Sequence, residues 1–318
     1  MINNLSNEEL LKKFNTKVFG HLKAKKALIS LVNRSKLSHY IKYLKDNGSD
    51  SDFPTLEPSK CLLVGPSGTG KTFLVESLQD LVHFPLIKVD ATAFELSGRQ
   101  GLNVEKLQKL IRSNAVDLVN QKDNAYFSVE ATVDQTVVFV DEVDKLAISF
   151  DSTGNWNNMI QSSFLTMFGG CEGFESVSFI FAGAFSSMRH MVTSKAIGFT
   201  AAHMEDEAFE EQSTDEMIIA AGLMPEFVGR INTIVNLDTL GKKEFTSILK
   251  TILIPAKSKE LELFGYKDYK FSRKELKDIV DQAIKSKQGV RSLKRELNSL
   301  VLELEFGFEK KPKRLTKK

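Results

Sequence analysis

The run Gly65-Pro66-Ser67-Gly68-Thr69-Gly70-Lys71-Thr72 satisfies the pattern G-x-x-x-x-G-K-[ST] with no mismatch. It constrains the fold because it works only between a strand and a helix. Gly65, Gly68 and Gly70 let the backbone turn and approach phosphate oxygens where a Cβ would clash. The amides of the loop, with Pro66, Ser67 and Thr69 between the glycines, then point inward as an anion nest. Lys71 adds a cation for the β- and γ-phosphates, and the Thr72 hydroxyl can bind Mg²⁺. A helix starting here turns its positive dipole end toward the phosphates. The flanks agree. Cys61-Leu62-Leu63-Val64 reads as a buried strand, and Phe73, Leu74, Leu78 and Leu81 recur at helical spacing.

Bulk properties bound the remainder. A chain of 318 residues suggests about two domains with ample core. A net charge of +2 supplies no overall basic field for nucleic acid. Two cysteines, Cys61 and Cys171, are too few for a disulfide framework or a four-cysteine zinc site, and a reducing, cytoplasmic setting fits them. The first residues, Met1 to Ser6, lack the apolar run of a signal peptide, and no apolar stretch is long enough to cross a bilayer.

Along the chain, strands and helices alternate. Pro85–Asp90, Thr136–Val140, Val177–Phe181 and Ile231–Leu237 read as four further strands. Helical faces appear at Ala24 to Val32, Val104 to Ile111 and Ile160 to Phe168. Ala91 to Gly101, Ser149 to Asn158 and Thr193 to Gln212 read as loops. The expectation is an α/β fold with a five-stranded parallel sheet over residues 1–237. A small, mostly helical domain over residues 238–318 should follow, ending in the basic tail Lys310-Lys311-Pro312-Lys313-Arg314.

Asp141-Glu142 ends the third strand, and in open α/β sheets ligands bind beyond the carboxyl ends of strands. Asp141 can hold Mg²⁺ through water, and Glu142 can polarise a water for attack on a γ-phosphate.

Val137 to Lys145, VVFVDEVDK, is similar to the Walker B motif of the AAA+ class, and residues Phe14 to Phe306 resemble the HslU/ClpX group of Clp unfoldases. Several roles follow from that resemblance. Val18-Phe19-Gly20-His21 looks like the box that packs on adenine. Gly222-Leu223-Met224-Pro225-Glu226-Phe227-Val228-Gly229-Arg230 looks like the arginine-finger segment, so Arg230 would reach the γ-phosphate of a neighbouring subunit. Gly289-Val290-Arg291 looks like sensor 2, and Arg291 at a helix start is a cation awaiting an anion. The resemblance implies ATP and Mg²⁺ as cofactors, a hexameric ring and a protein substrate.

The chain also departs from the group. Its first residues read as the approach to the ATPase core, so the group's N-terminal zinc-binding domain is not expected. Where the group's pore loop reads Gly-Tyr-Val-Gly, this chain has Gly98-Arg99-Gln100-Gly101. Arg99 and Gln100 would favour acidic or phosphate-bearing substrates over apolar side chains. Ile197-Gly198-Phe199 matches the tripeptide that docks into a ClpP-like peptidase.

The sequence therefore predicts an ATP-driven ring that remodels a protein in its pore and can pair with a ClpP-like peptidase. The alternatives are a nucleic-acid motor or loader, which Arg99 favours and the near-neutral charge opposes, and a nucleotide-switched assembly scaffold.

Overall fold

A computed structural model describes residues 6–47, 52–54, 56–94, 103–121, 128–147, 154–185, 214–237, 239–266, 269–286 and 288–306. Arg99 and Gln100, Ile197, Gly198 and Phe199, and the basic tail lie outside the described residues. The chain forms two units. The first comprises Met1–Lys17, His21–Gly65 and Lys71–Leu237, and the second Val18–Gly20, Pro66–Gly70 and Asp238–Lys318.

Among the described residues, the first unit is built on one sheet of five strands, all parallel, in the order β2-β3-β4-β1-β5. The strands are β1 (Lys60–Val64), β2 (Leu86–Asp90), β3 (Val137–Asp141), β4 (Ser178–Gly183) and β5 (Thr233–Asn236). Composition sets their places. β1 and β4 are buried throughout and β3 nearly so, as strands covered on both faces must be. β2 and β5 mix buried with exposed positions and take the two edges. Helices α1 (Asn7–Lys17), α2 (Leu22–Asp46), α3 (Lys71–Val82), α4 (Val104–Asn120), α5 (Val129–Asp134), α6 (Gly154–Phe168), α7 (Thr214–Ala220) and α8 (Pro225–Val228) belong to the same unit.

Phenylalanines dominate the core on the α6 side of the sheet. Phe164 is buried on α6, with ring centroids 4.9 Å from Phe94, 5.5 Å from Phe181 and 6.2 Å from Phe227. Phe179 and Phe181 alternate on β4, project from one face and stack at 5.8 Å. Truncating any of these buried rings to alanine should cost about 3–5 kcal/mol.

Two local expectations change. The polar stretch Ser149 to Asn158 reads as a loop, but its residues 154–158 are helical and open α6. Asn157 there donates to the carbonyl of Ala147 at 2.9 Å, so a polar residue serves the helix face turned to the preceding turn. The short α5 has no apolar period to announce it. Its start is fixed by Ser128, whose hydroxyl accepts the N–H of Ala131 at 3.0 Å. Phe73, counted with the apolar face of α3, is exposed, and Leu74, Val75, Leu78 and Val82 make the buried stripe.

The second unit is helical. It holds α9 (Lys242–Ile248), a π-helical stretch at Leu249–Leu253, α10 (Ile254–Leu263), α11 (Arg273–Lys285) and α12 (Val290–Phe306). The π stretch precedes Pro255, which has no N–H to continue the ordinary ladder. Leu249, Leu261, Ala283 and Leu293 are fully buried, and Phe19 packs against their cluster. Ser272 and Glu275 close a capping box at the start of α11, with main-chain to side-chain bonds of 2.6 and 3.2 Å. No helix among the described residues is long and apolar enough to cross a membrane.

Candidate functional site

The candidate catalytic groups of the first unit follow the carboxyl ends of β1 and β3. Beyond β1, the Gly65 N–H donates to the Gly183 carbonyl at 3.2 Å, which ties the exit of β1 to the end of β4. Lys71 opens α3 and is 9% exposed, and its ammonium donates to the Gly65 carbonyl at 2.6 Å. A buried ammonium needs such a hydrogen bond to offset its lost hydration. The Thr72 hydroxyl donates to Asp141 Oδ2 at 2.6 Å, while Asp141 Oδ1 accepts the N–H of Glu142 at 2.9 Å. Both carboxylate oxygens of Asp141 are thus held in place. Glu142 is exposed and takes the left-handed backbone conformation at φ 56°. Such a conformation in a residue with a side chain is a local strain of the kind found at functional positions. Just after it, Asp144 Oδ1 accepts the N–H of Ala184 at 3.0 Å and fastens this turn to the end of β4.

Thr72 and Asp141 form a pair of hard oxygen donors, and this suits Mg²⁺, which takes one or two protein oxygens and completes its shell with phosphate and water. Among the described residues, no cluster of three or more His, Cys, Asp or Glu side chains could hold a metal by protein groups alone.

In the second unit, the turn Pro66–Gly70 meets the start of α12. Arg291 donates from Nη1 to the Ser67 hydroxyl at 2.7 Å, and the Val290 N–H donates to the Gly68 carbonyl at 2.9 Å. Gly68 and Gly289 both have positive φ; a methyl group on Gly68 would collide with the Gln288 carbonyl, and one on Gly289 with the Gly68 main chain. Ser67, Gly68 and Arg291 are therefore brought together. Thr69 closes the turn on itself, its hydroxyl donating to the Pro66 carbonyl at 2.9 Å. Val18 is buried and Phe19 lies against the core of this unit.

Arg230 is held by a different part of the first unit. It follows α8, and its N–H donates to the Phe227 carbonyl at 3.2 Å. Two residues on, Asn232 exchanges hydrogen bonds with the main chain of Lys60, at 2.9 and 2.8 Å. Burial is the main cause that pulls the Lys60 amine below its ordinary value; Glu57 opposes this and the Arg230 charge reinforces it. Arg230 is therefore a neighbour of the amino end of β1. At about 3.3 Å per residue, the carboxyl end lies roughly 13 Å further along the strand.

Gln161 and Asn157, on one face of α6, were not visible as site residues in the sequence. Gln161 is fully buried and bonds the main chain of Leu146 and Met224, and Asn157 bonds that of Ala147. No motif could have flagged them, because main-chain partners leave no signature in residue types.

Residues 61–192 match the family model described as "ATPase family associated with various cellular activities (AAA)". The chain is also similar to proteins named "ATP-dependent Clp protease ATP-binding subunit ClpX". The relative from Porphyromonas gingivalis W83 is 26% identical over 96% of this chain and 79% of its own length. That from Bacteroides thetaiotaomicron is 25% identical over 96% and 78%. "ATP-dependent Clp protease ATP-binding subunit ClpX 2" of Wolinella succinogenes is 26% identical over 92% and 75%.

Proposed function

We propose that this chain, a ClpX-like AAA+ ATP hydrolase, works as a head-to-tail ring, a hexamer by its resemblance, that spends ATP to remodel a protein substrate. The observation that carries the ring is the separation of Arg230 from Lys71, Thr72, Asp141 and Glu142 along β1. Arg230 neighbours the amino end of β1 while the phosphate-binding groups follow its carboxyl end, and a cation so placed suits the γ-phosphate of a neighbour better than that of its own protomer.

In this reading, the amides of residues 65–70 and the Lys71 ammonium bind the phosphates. Thr72 and Asp141 would hold Mg²⁺, which would supply positive charge against the charge developing on the phosphates. Glu142 accepts a proton from the attacking water, and Arg230 of the neighbouring protomer stabilises the transferred group. Arg291, at the start of α12, senses the anion through the Ser67 turn. Val18 and Phe19 pack on the adenine. By the resemblance of their segments, Arg99 and Gln100 would line the pore and Ile197-Gly198-Phe199 would dock to a ClpP-like peptidase; the relatives are named as ATP-binding subunits of an ATP-dependent Clp protease. The setting is the cytoplasm.

The test mixes two dead variants. Arg230→Ala and Lys71→Ala are each expected to be inactive alone while Arg230→Ala still binds nucleotide, and their mixture is expected to hydrolyse ATP. No rescue overturns the neighbouring finger. Stimulation of turnover by an unfolded protein and not by single-stranded DNA is expected; the reverse result would favour a nucleic-acid motor.

A further inference from the structure

Gln161 sits in the middle of α6 with no exposed surface. Its amide is used at both ends. Nε2 donates to the Leu146 carbonyl at 2.7 Å, in the turn that follows Asp141 and Glu142. Oε1 accepts the N–H of Met224 at 2.8 Å, at the residue that caps the start of α8. From α8 the chain runs through Gly229 directly into Arg230. We infer that Gln161 is a positioning residue that sets the arginine finger in a common frame with the catalytic carboxylates of its own protomer. The inference rests on the reading that Arg230 completes a neighbour's site.

The physical need is orientation. Phe227 anchors α8, its ring centroid 5.1 Å from Phe181 and 5.6 Å from Phe168. Apolar contact of this kind is non-directional, so it fixes depth and leaves the helix free to rock about the ring. A hydrogen bond at the cap is directional and removes that freedom. The turn at the other end has a second support. Asn157, one helical turn before Gln161, donates to the Ala147 carbonyl at 2.9 Å. Beyond Arg230 the segment is held again by Asn232 on the Lys60 main chain, so losing Gln161 should free the α8 end of the finger segment, and a finger misplaced by about 1 Å can cost on the order of 100-fold in turnover.

The experiment separates donors from recipients. Arg230→Ala protomers keep their own site and lack a finger. Glu142→Gln protomers have a dead site and an intact finger, so mixing the two is expected to restore hydrolysis. Replacing the donor by Glu142→Gln/Gln161→Met, an uncharged change of nearly equal volume, should lower the restored turnover roughly 10- to 100-fold. The nucleotide KM of the recipient sites should stay unchanged. Gln161→Glu in the same donor, held as the neutral acid by full burial, keeps an acceptor for the Met224 N–H and an O–H donor for the Leu146 carbonyl, and is expected to recover donation. Both donors are checked for equal nucleotide binding and equal assembled mass, a readout that a folding defect would move. Full rescue by the Gln161→Met donor, or a drop matched by lost assembly, overturns the role of Gln161. Failure of the mixture with the plain Glu142→Gln donor instead overturns the neighbouring finger itself, and the positioning role with it.

Discussion

Glu142 holds a left-handed backbone at φ 56° while its own N–H is fixed by Asp141 Oδ1 at 2.9 Å. The strain is kept because the bond and the following turn determine the conformation. Glu142→Gln preserves shape and backbone and removes only the proton acceptor. It should bind ATP as well as the parent protein and hydrolyse it at least about 100-fold more slowly, the usual share of a general base, as read by filter binding and by phosphate release. Persistent turnover would assign the water to another group. At Gly289 the demand is steric. Its φ is +64° and the Gly68 main chain lies against it, so Gly289→Ala combines an unfavourable conformation with a collision. We expect a loss of at least ~1 kcal/mol in denaturant unfolding. The residues of the phosphate loop and of Asp141-Glu142 were readable in the sequence because their chemistry demands fixed types at fixed spacing. Gln161 was not, because what it grips is main chain, and the residues gripped could be of almost any type.

Among elements, readability followed periodicity. The three inner strands are continuous apolar runs, and α11 and α12 carry clear apolar stripes, so both kinds stood out. The first turn of α6 and all of α5 did not, since side-chain bonds from Asn157 and Ser128 and tertiary burial hold them. The joint between α1 and α2 was equally hidden. There Lys25 is 2% exposed, donates to Asn15 Oδ1 at 2.6 Å and lies 5.7 Å from the centre of the Phe14 ring. Burial drives its amine down to about 8, against an ordinary 10.5. Between these values the unfolded chain binds a proton that the folded chain does not, so stability must rise with pH across about 8 to 10.5. Compared with Lys25→Met, the parent protein should gain urea midpoint over that window. A difference between the two that stays level with pH would show that the amine is not desolvated in the folded protein.

At the scale of the whole molecule, the proposed finger at the amino end of β1 and the proposed catalytic groups at its carboxyl end would give each protomer two different surfaces to offer its neighbours. Different surfaces make head-to-tail contacts, and these close into rings when the rotation permits. In such a ring every protomer gives one finger and receives one, which fixes how mixtures must behave. Let Lys71→Ala make up a fraction f of randomly mixed protomers and Arg230→Ala the remainder. Only an Arg230→Ala protomer served by a Lys71→Ala neighbour can turn over, a share f(1−f). Hydrolysis should vanish at both ends of the titration and form a symmetric hump at equal amounts, near ~25% of the parent rate. Fingers that served their own protomer would leave zero activity at every ratio. A hump displaced from equal amounts would mean that one variant enters rings less readily, which the composition of isolated rings, measured by native mass spectrometry, would reveal. The height then carries the remaining information, because a rate well below the expected share at a centred peak requires that neighbouring sites fire in concert.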